Sequence, residues 1–136
     1  YLCEGVWDGM ALWETLRHAK QASNGLAVTA NIEASLYADA NVLAIPGCLV
    51  FAENWCSLFA DKLVILMAQN DHPHKHPTTG AILESASYNG MRRIARMLND
   101  CETPPKEIRL LQWGPNGYNP DLKHGYDVRD VIGGTL

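Results

Sequence analysis

The sequence contains no segment that would assign it to a membrane or secreted class. No run approaches the roughly 18 apolar residues that a membrane helix requires, and no basic segment followed by an apolar one marks a signal peptide. The four cysteines form no C-x-x-C pair, which fits reduced, packed thiols better than a disulfide framework. These absences predict a cytoplasmic protein that does not contact a membrane.

Positive charge is also scarce. The chain holds 11 Lys and Arg against 15 Asp and Glu, for a net charge of −4. A self-sufficient nucleic-acid binder usually carries a positive surplus, because phosphate contacts supply most of its affinity. If the chain acts on nucleic acid, we therefore expect neighbouring domains to supply much of the binding affinity. A G-x-x-x-x-G-K-[ST] phosphate loop is absent as well, so any ATP hydrolysis would belong to another domain.

The length and composition are those of one globular domain. The chain has 136 residues, of which 47% are apolar and 19% charged, enough for a single buried core. It begins at Tyr1 and enters an apolar run at once. We expect residues 1–136 to form a single domain of a longer protein.

Apolar runs and helical spacings alternate along the chain. A continuous apolar run at 62–68 indicates a strand buried on both faces, and the turn residues Pro46 and Gly47 end an earlier strand. The pattern predicts strands at 1–3, 41–45, 62–68 and 107–113, helices at 7–20, 52–60 and 80–99, a last helix starting within 127–130, and a short helix at 32–37 as one option for an ambiguous stretch. This order is typical of an α/β domain with a mainly parallel sheet.

Acidic residues follow the predicted strands. Glu4 and Asp71 each come directly after an apolar strand, and Asp127 and Asp130 follow a longer loop. Ligands in open α/β sheets bind beyond the carboxyl ends of the strands, and clustered carboxylates repel unless a cation lies between them. Oxygen ligands favour Mg²⁺ or Mn²⁺. The sequence therefore predicts a metal site suited to phosphoryl transfer.

Three segments resemble a known family. They are the motif Glu4-Gly5-x-x-Asp8, residues 63–71 with the continuation to Gly80, and residues 125–130. Together they resemble the Toprim domain, above all that of primases and of phage- or plasmid-type primase-helicases. The resemblance implies a Rossmann-like Toprim fold, with a mainly parallel four-stranded sheet flanked by helices. It also implies a DNA-replication enzyme that makes RNA primers with Mg²⁺ or Mn²⁺, and that meets single-stranded DNA and nucleotides with the help of other domains of its parent protein.

The resemblance also assigns roles to residues. It makes Glu4 a general base or metal ligand and Asp71 a metal ligand, with Asp8, Asp127 and Asp130 completing an acidic shell. Gln69 stands where the family's Asp-x-Asp motif has its first Asp. An amide oxygen can coordinate a metal but brings no charge, so metal binding is expected to be weaker than in the family, or limited to one ion.

Several alternatives stay open at this point. Asp8, Asp127 and Asp130 could serve as helix caps. The alternating histidines 72, 74 and 76 could bind zinc, although a solvated loop is favoured, and Arg92, Arg93 and Arg96 could contact a nucleic-acid backbone or form a solvated helix face. The chain could also be a catalytically weakened Toprim scaffold, or belong to a nuclease or topoisomerase.

Overall fold

A computed structural model of the chain describes residues 1–23 and 40–133, with side chains at 1–19 and 40–133. The predicted short helix at 32–37 lies outside the described residues. The strands are β1 Leu2–Glu4, β2 Leu43–Ile45, β3 Leu63–Met67, β4 His74–Lys75, β5 Ile82–Leu83 and β6 Glu107–Leu110. The helices are α1 Val6–Ser23, α2 Ala86–Asp100 and α3 Val128–Gly133, with a 3-10 helix at Glu53–Phe59.

Four strands form one parallel sheet. Their order is β2-β1-β3-β6, and every neighbouring pair is parallel. Helices cover both faces, so the predicted α/β class with a four-stranded parallel sheet is confirmed. The chain moves to one side of β1 to make β2 and then crosses to the other side for β3 and β6. The strand order therefore reverses between β1 and β3, and this is the point where open α/β sheets bind their ligands.

Both faces of the sheet carry packed side chains, although β3 is only partly buried on one of them, because Leu63 is exposed and Ile65 half-buried. Val64 and Leu66 belong to a core on one face, where the 3-10 helix and the apolar side of α2 pack. On the other face Cys3 packs against α1 and α3. Each buried apolar side chain contributes about 1.5–3 kcal/mol relative to an exposed one, so both layers hold the ends of β1 and β3 in place.

The segment before α2 corrects one prediction. A helix was expected from residue 80, but Ile82 and Leu83 pair with Lys75 and His74 in an antiparallel ribbon. The helix begins only after Ser85, whose hydroxyl accepts a hydrogen bond from the backbone N–H of Tyr88. Such a serine satisfies one of the free N–H groups of the first turn, so it marks the true start of α2.

Two other boundaries also differ from the prediction. The segment predicted as a helix at 52–60 is a 3-10 helix, and the last strand ends at Leu110 rather than at residue 113. Beyond that strand, the indole N–H of Trp113 donates to the carbonyl of Ala68 at 2.8 Å.

Among the described residues, no helix is both long and apolar enough to cross a membrane.

Candidate functional site

Two of the predicted acids meet at the point where the strand order reverses. Glu4 ends β1, and Asp71 lies four residues beyond β3. The hydroxyl of Ser87 donates to the Glu4 carboxylate, and the backbone N–H of Ser87 donates to Asp71 Oδ2 at 3.1 Å. Ser87 is 0% exposed and lies in the first turn of α2. One buried residue thus holds both carboxylates.

Cys48 lies against the same pair. Its backbone N–H donates to Glu4 Oε1 at 3.2 Å. Burial raises the pKa of the Cys48 thiol to about 11, and the negative charges of Glu4 and Asp71 add to this increase. A thiol with so high a pKa stays protonated at neutral pH and is a poor nucleophile. Cys48 therefore positions Glu4 through its backbone and does not supply a reactive sulfur.

Gln69 connects this pair to a second group of acids. Its backbone N–H donates to the Ser87 hydroxyl oxygen at 2.7 Å. Its side-chain amide donates to Asp8 Oδ2 at 3.2 Å and to the carbonyl of Glu4 at 3.4 Å. Gln69 is thus a donor to a carboxylate and links the Glu4 and Asp71 pair to Asp8.

Gly5 makes the turn between β1 and α1. Its φ is +99°, a conformation that other residues rarely adopt. A Cβ at this position would lie 3.4 Å from Asp8 Oδ2. The positive φ of the sharp turn after β1 therefore requires glycine.

Asp8 and Asp127 are joined by an arginine. Arg129 Nε lies 2.6 Å from Asp8 Oδ1, and Arg129 Nη2 lies 2.6 Å from Asp127 Oδ2. Both aspartates are only 3% exposed. No donor among the described residues makes a well-aligned hydrogen bond to Asp8 Oδ1, so its contact with Arg129 is mainly charge attraction. Burial raises the pKa of Asp8 and the negative charge of Asp127 adds to this increase, while the hydrogen bond from Gln69 and the positive charge of Arg129 oppose it.

Asp127 and Asp130 cap α3. Asp127 Oδ1 accepts from the backbone N–H groups of Arg129 and Asp130 at 2.8 and 3.2 Å, and Asp130 Oδ2 accepts from the N–H of Asp127 at 3.1 Å. This reciprocal arrangement is a capping box. Lys123 Nζ lies 2.6 Å from Asp130 Oδ1 and lowers the pKa of that carboxyl. The capping alternative is confirmed for both residues.

The histidine-rich segment borders the site. A cavity of about 420 Å³ is lined by Asp71, His72, Pro73, His74, Ala86 and His124. The backbone N–H of His72 donates to His124 Nδ1 at 2.9 Å, and His124 Nε2 lies 4.0 Å from Asp71 Oδ1. His76 accepts from the N–H groups of Thr78 and Thr79 and so shapes a turn.

The arginines of α2 lie on its outer surface. Arg92, Arg93 and Arg96 are all exposed. Arg92 lies over the ring of Tyr88, and Arg93 donates to the carbonyl of Leu49 at 3.0 Å. The favoured alternative, a solvated helix face, agrees with this exposure.

The residues present fit one metal ion better than two. No group of three or more His, Cys, Asp or Glu side chains in the described ranges forms a preformed metal cage. Mg²⁺, however, is commonly held by only one or two carboxylates, with waters and substrate phosphates completing its shell. Glu4 and Asp71, both bonded to Ser87, supply two such carboxylates. Asp8 and Asp127 fit a second ion poorly, because Arg129 already lies between them.

Sequence reasoning missed Ser87, Cys48, Arg129 and His124. Ser87 and Cys48 contact Glu4 across 83 and 44 residues of chain, so no local pattern reveals them. Arg129 had one visible signal, its position between two predicted acids.

No protein-family model, curated protein or solved structure matches the chain.

Proposed function

We propose that this chain is a Toprim-type module that transfers nucleotidyl or phosphoryl groups with one divalent metal ion, as the primase part of a protein that makes RNA primers in DNA replication. The observation that supports it most is the meeting of Glu4 and Asp71 at Ser87, at the edge of the sheet where α/β folds bind ligands. The motifs that resemble the Toprim family contribute both carboxylates.

Glu4 and Asp71 would hold the Mg²⁺ or Mn²⁺ ion in this proposal. The ion would neutralise charge on the transferring group and orient the attacking hydroxyl. Ser87 and the backbone of Cys48 fix the directions of the carboxylates before any ligand arrives, which reduces the cost of ordering the site. Because the net charge is −4, other domains of the parent protein would make most of the contacts with single-stranded DNA in this proposal.

A second candidate is a catalytically weakened Toprim scaffold that binds nucleic acid or partner domains. Two observations favour it. Gln69 brings an uncharged amide to the centre of the site, and Arg129 pairs with two of its acids. The two candidates differ in one measurable property, because only the enzyme requires a saturable metal site at Glu4 and Asp71.

Removal of either carboxylate is expected to abolish that site. Isothermal titration with Mn²⁺ should show saturable binding to the wild-type chain, and Glu4→Gln or Asp71→Asn should weaken it at least about 100-fold, because changes in the outer shell alone cost 10–100-fold. Glu102→Gln is the matched control, since Glu102 is exposed beyond the end of α2. Absence of saturable binding to the wild-type chain, or unchanged binding to both variants, would favour the scaffold.

The substitution Gln69→Asp is expected to tighten metal binding and to destabilise the metal-free chain. The new carboxylate adds negative charge between the Glu4 backbone and Asp8, close to the proposed metal site, which should raise Mn²⁺ affinity roughly tenfold, or about 1.4 kcal/mol. Without metal, Asp8 loses an amide donor and gains a like charge, so the melting temperature should fall. Titration calorimetry and thermal melting with and without Mn²⁺ measure both effects. Asn54→Asp on the exposed side of the 3-10 helix controls for added charge, and an affinity no higher than wild type for Gln69→Asp contradicts the expectation.

A further inference from the structure

Asp8 and Asp127 place two negative charges in a buried position, and a side chain of the same protein supplies the compensating positive charge. Two carboxylates, each 3% exposed, are brought close to one guanidinium. Buried charges are costly unless they are paired. Arg129 contacts one carboxylate through Nε and the other through Nη2, at 2.6 Å in each case. It therefore occupies the position between two acids that a bridging cation would take.

The neighbouring contacts reinforce this arrangement. Gln69 donates to the second oxygen of Asp8, and the backbone N–H groups at the start of α3 donate to Asp127. Asp8 and Asp127 thus receive neutral donors on one side and a positive charge on the other. The Arg129 side chain is 51% exposed, so it can be replaced without opening a cavity in the core.

We propose that Arg129 is the permanent counter-charge of Asp8 and Asp127, and that its guanidinium excludes a divalent ion from these two carboxylates. The chain then binds one ion fewer than its acidic residues could hold. Arg129 is a positioning residue in this account, since it keeps Asp8 and Asp127 together under all metal concentrations. The ion at Glu4 and Asp71 is the one part of this inference that rests on the proposed function. The role of Arg129 does not depend on it.

The test counts bound Mn²⁺ ions per chain at saturation, by titration calorimetry at pH 8. Arg129→Gln should bind one ion more than the wild-type chain, because removal of the guanidinium leaves Asp8 and Asp127 without their counter-charge. Arg129→Lys, which keeps the positive charge, should bind the same number as wild type. The double variant Asp8→Asn with Arg129→Gln should lose the extra ion. Arg109→Gln breaks an exposed pair with Glu107 on β6 and should leave the number unchanged.

Thermal melting guards against a trivial failure to fold. Arg129→Gln should melt at a lower temperature than wild type without metal, and Mn²⁺ should restore most of the loss. A folded Arg129→Gln variant that binds the same number of ions as wild type would overturn the inference, as would an equal gain in Arg129→Lys. If the wild-type chain binds no Mn²⁺, the proposed function fails, but a gain from zero ions to one in Arg129→Gln would still support the role of Arg129.

Discussion

Replacement of Asn70 by alanine is expected to lower the free energy of unfolding by about 3 kcal/mol. Asn70 is 0% exposed. Its side-chain amide donates to the carbonyls of Asn119 and Lys123 at 3.0 and 3.1 Å, and its Oδ1 accepts from the N–H of Asn119 at 2.7 Å. Each buried group left without a partner costs about 1–3 kcal/mol, and alanine would leave several at once.

The backbone of Asn70 is also hydrogen-bonded to the loop before α3. Its N–H donates to the carbonyl of Tyr126 at 2.8 Å, and its carbonyl accepts from the N–H of Gly125 at 2.9 Å. Loss of the side-chain contacts should therefore increase hydrogen exchange in the segment that leads to Asp127 and Arg129.

Chemical denaturation measures the loss of stability. Asn70→Asp is expected to be no better than alanine, because a carboxylate would face carbonyl oxygens in place of an amide donor. Asn99→Ala is the control, since Asn99 is exposed and its side-chain amide donates to Asp100 Oδ1 at 3.1 Å on the surface. A loss below 1 kcal/mol for Asn70→Ala would show that the loop does not depend on this residue.

The substitution Gly90→Ala is expected to cost about 3 kcal/mol of stability and to weaken metal binding. A Cβ at Gly90 would lie 2.4 Å from Cys48 Cβ and 2.7 Å from Cys48 Sγ. Alanine gains roughly 1 kcal/mol over glycine in a helix, but an overlap of this size exceeds that gain. Cys48 must then move, and its backbone N–H moves away from Glu4.

Gly47→Ala is the matched control for this prediction. An added Cβ there would meet none of the described atoms within 4 Å, so its effect on stability should stay within about 0.5 kcal/mol. Denaturation and Mn²⁺ titration on both variants check the expectation. Equal stability of the two variants would mean that α2 can shift away from Cys48 at little cost.

The fold class could be predicted because its main signal is local. The apolar run at 62–68 is typical of a strand in a parallel sheet, and the spacing of Met91, Ile94 and Leu98 places one side of α2 in the core. The start of α2 was placed too early because Ile82 and Leu83 suit a helix or a strand equally well. Only their pairing with β4 decides between the two.

The candidate site was predictable in part. The sequence singles out Glu4 and Asp71 because they follow strands, and their proximity depends on β1 and β3 being neighbours. The order β2-β1-β3-β6 is a property of the whole sheet and has no local signal. The same is true of Ser87, which reaches both acids only because α2 packs beside β3.

The third acidic segment shows the limit of motif reasoning. Asp127 and Asp130 were predicted as metal ligands, yet their oxygens are turned towards Arg129, Lys123 and the N–H groups of α3. A carboxylate in a motif can serve a cation of the chain as well as a metal ion. Contacts decide between these roles, and spacing along the sequence does not.

The location of one bound ion tests the central claim most directly. We expect crystals of the chain grown with Mn²⁺ to show an anomalous scattering peak at coordination distance from both Glu4 and Asp71, and no peak between Asp8 and Asp127. A peak held by Asp8 and Asp127 with Arg129 displaced would contradict the account, as would the absence of any peak at Glu4 and Asp71 in crystals soaked at saturating Mn²⁺.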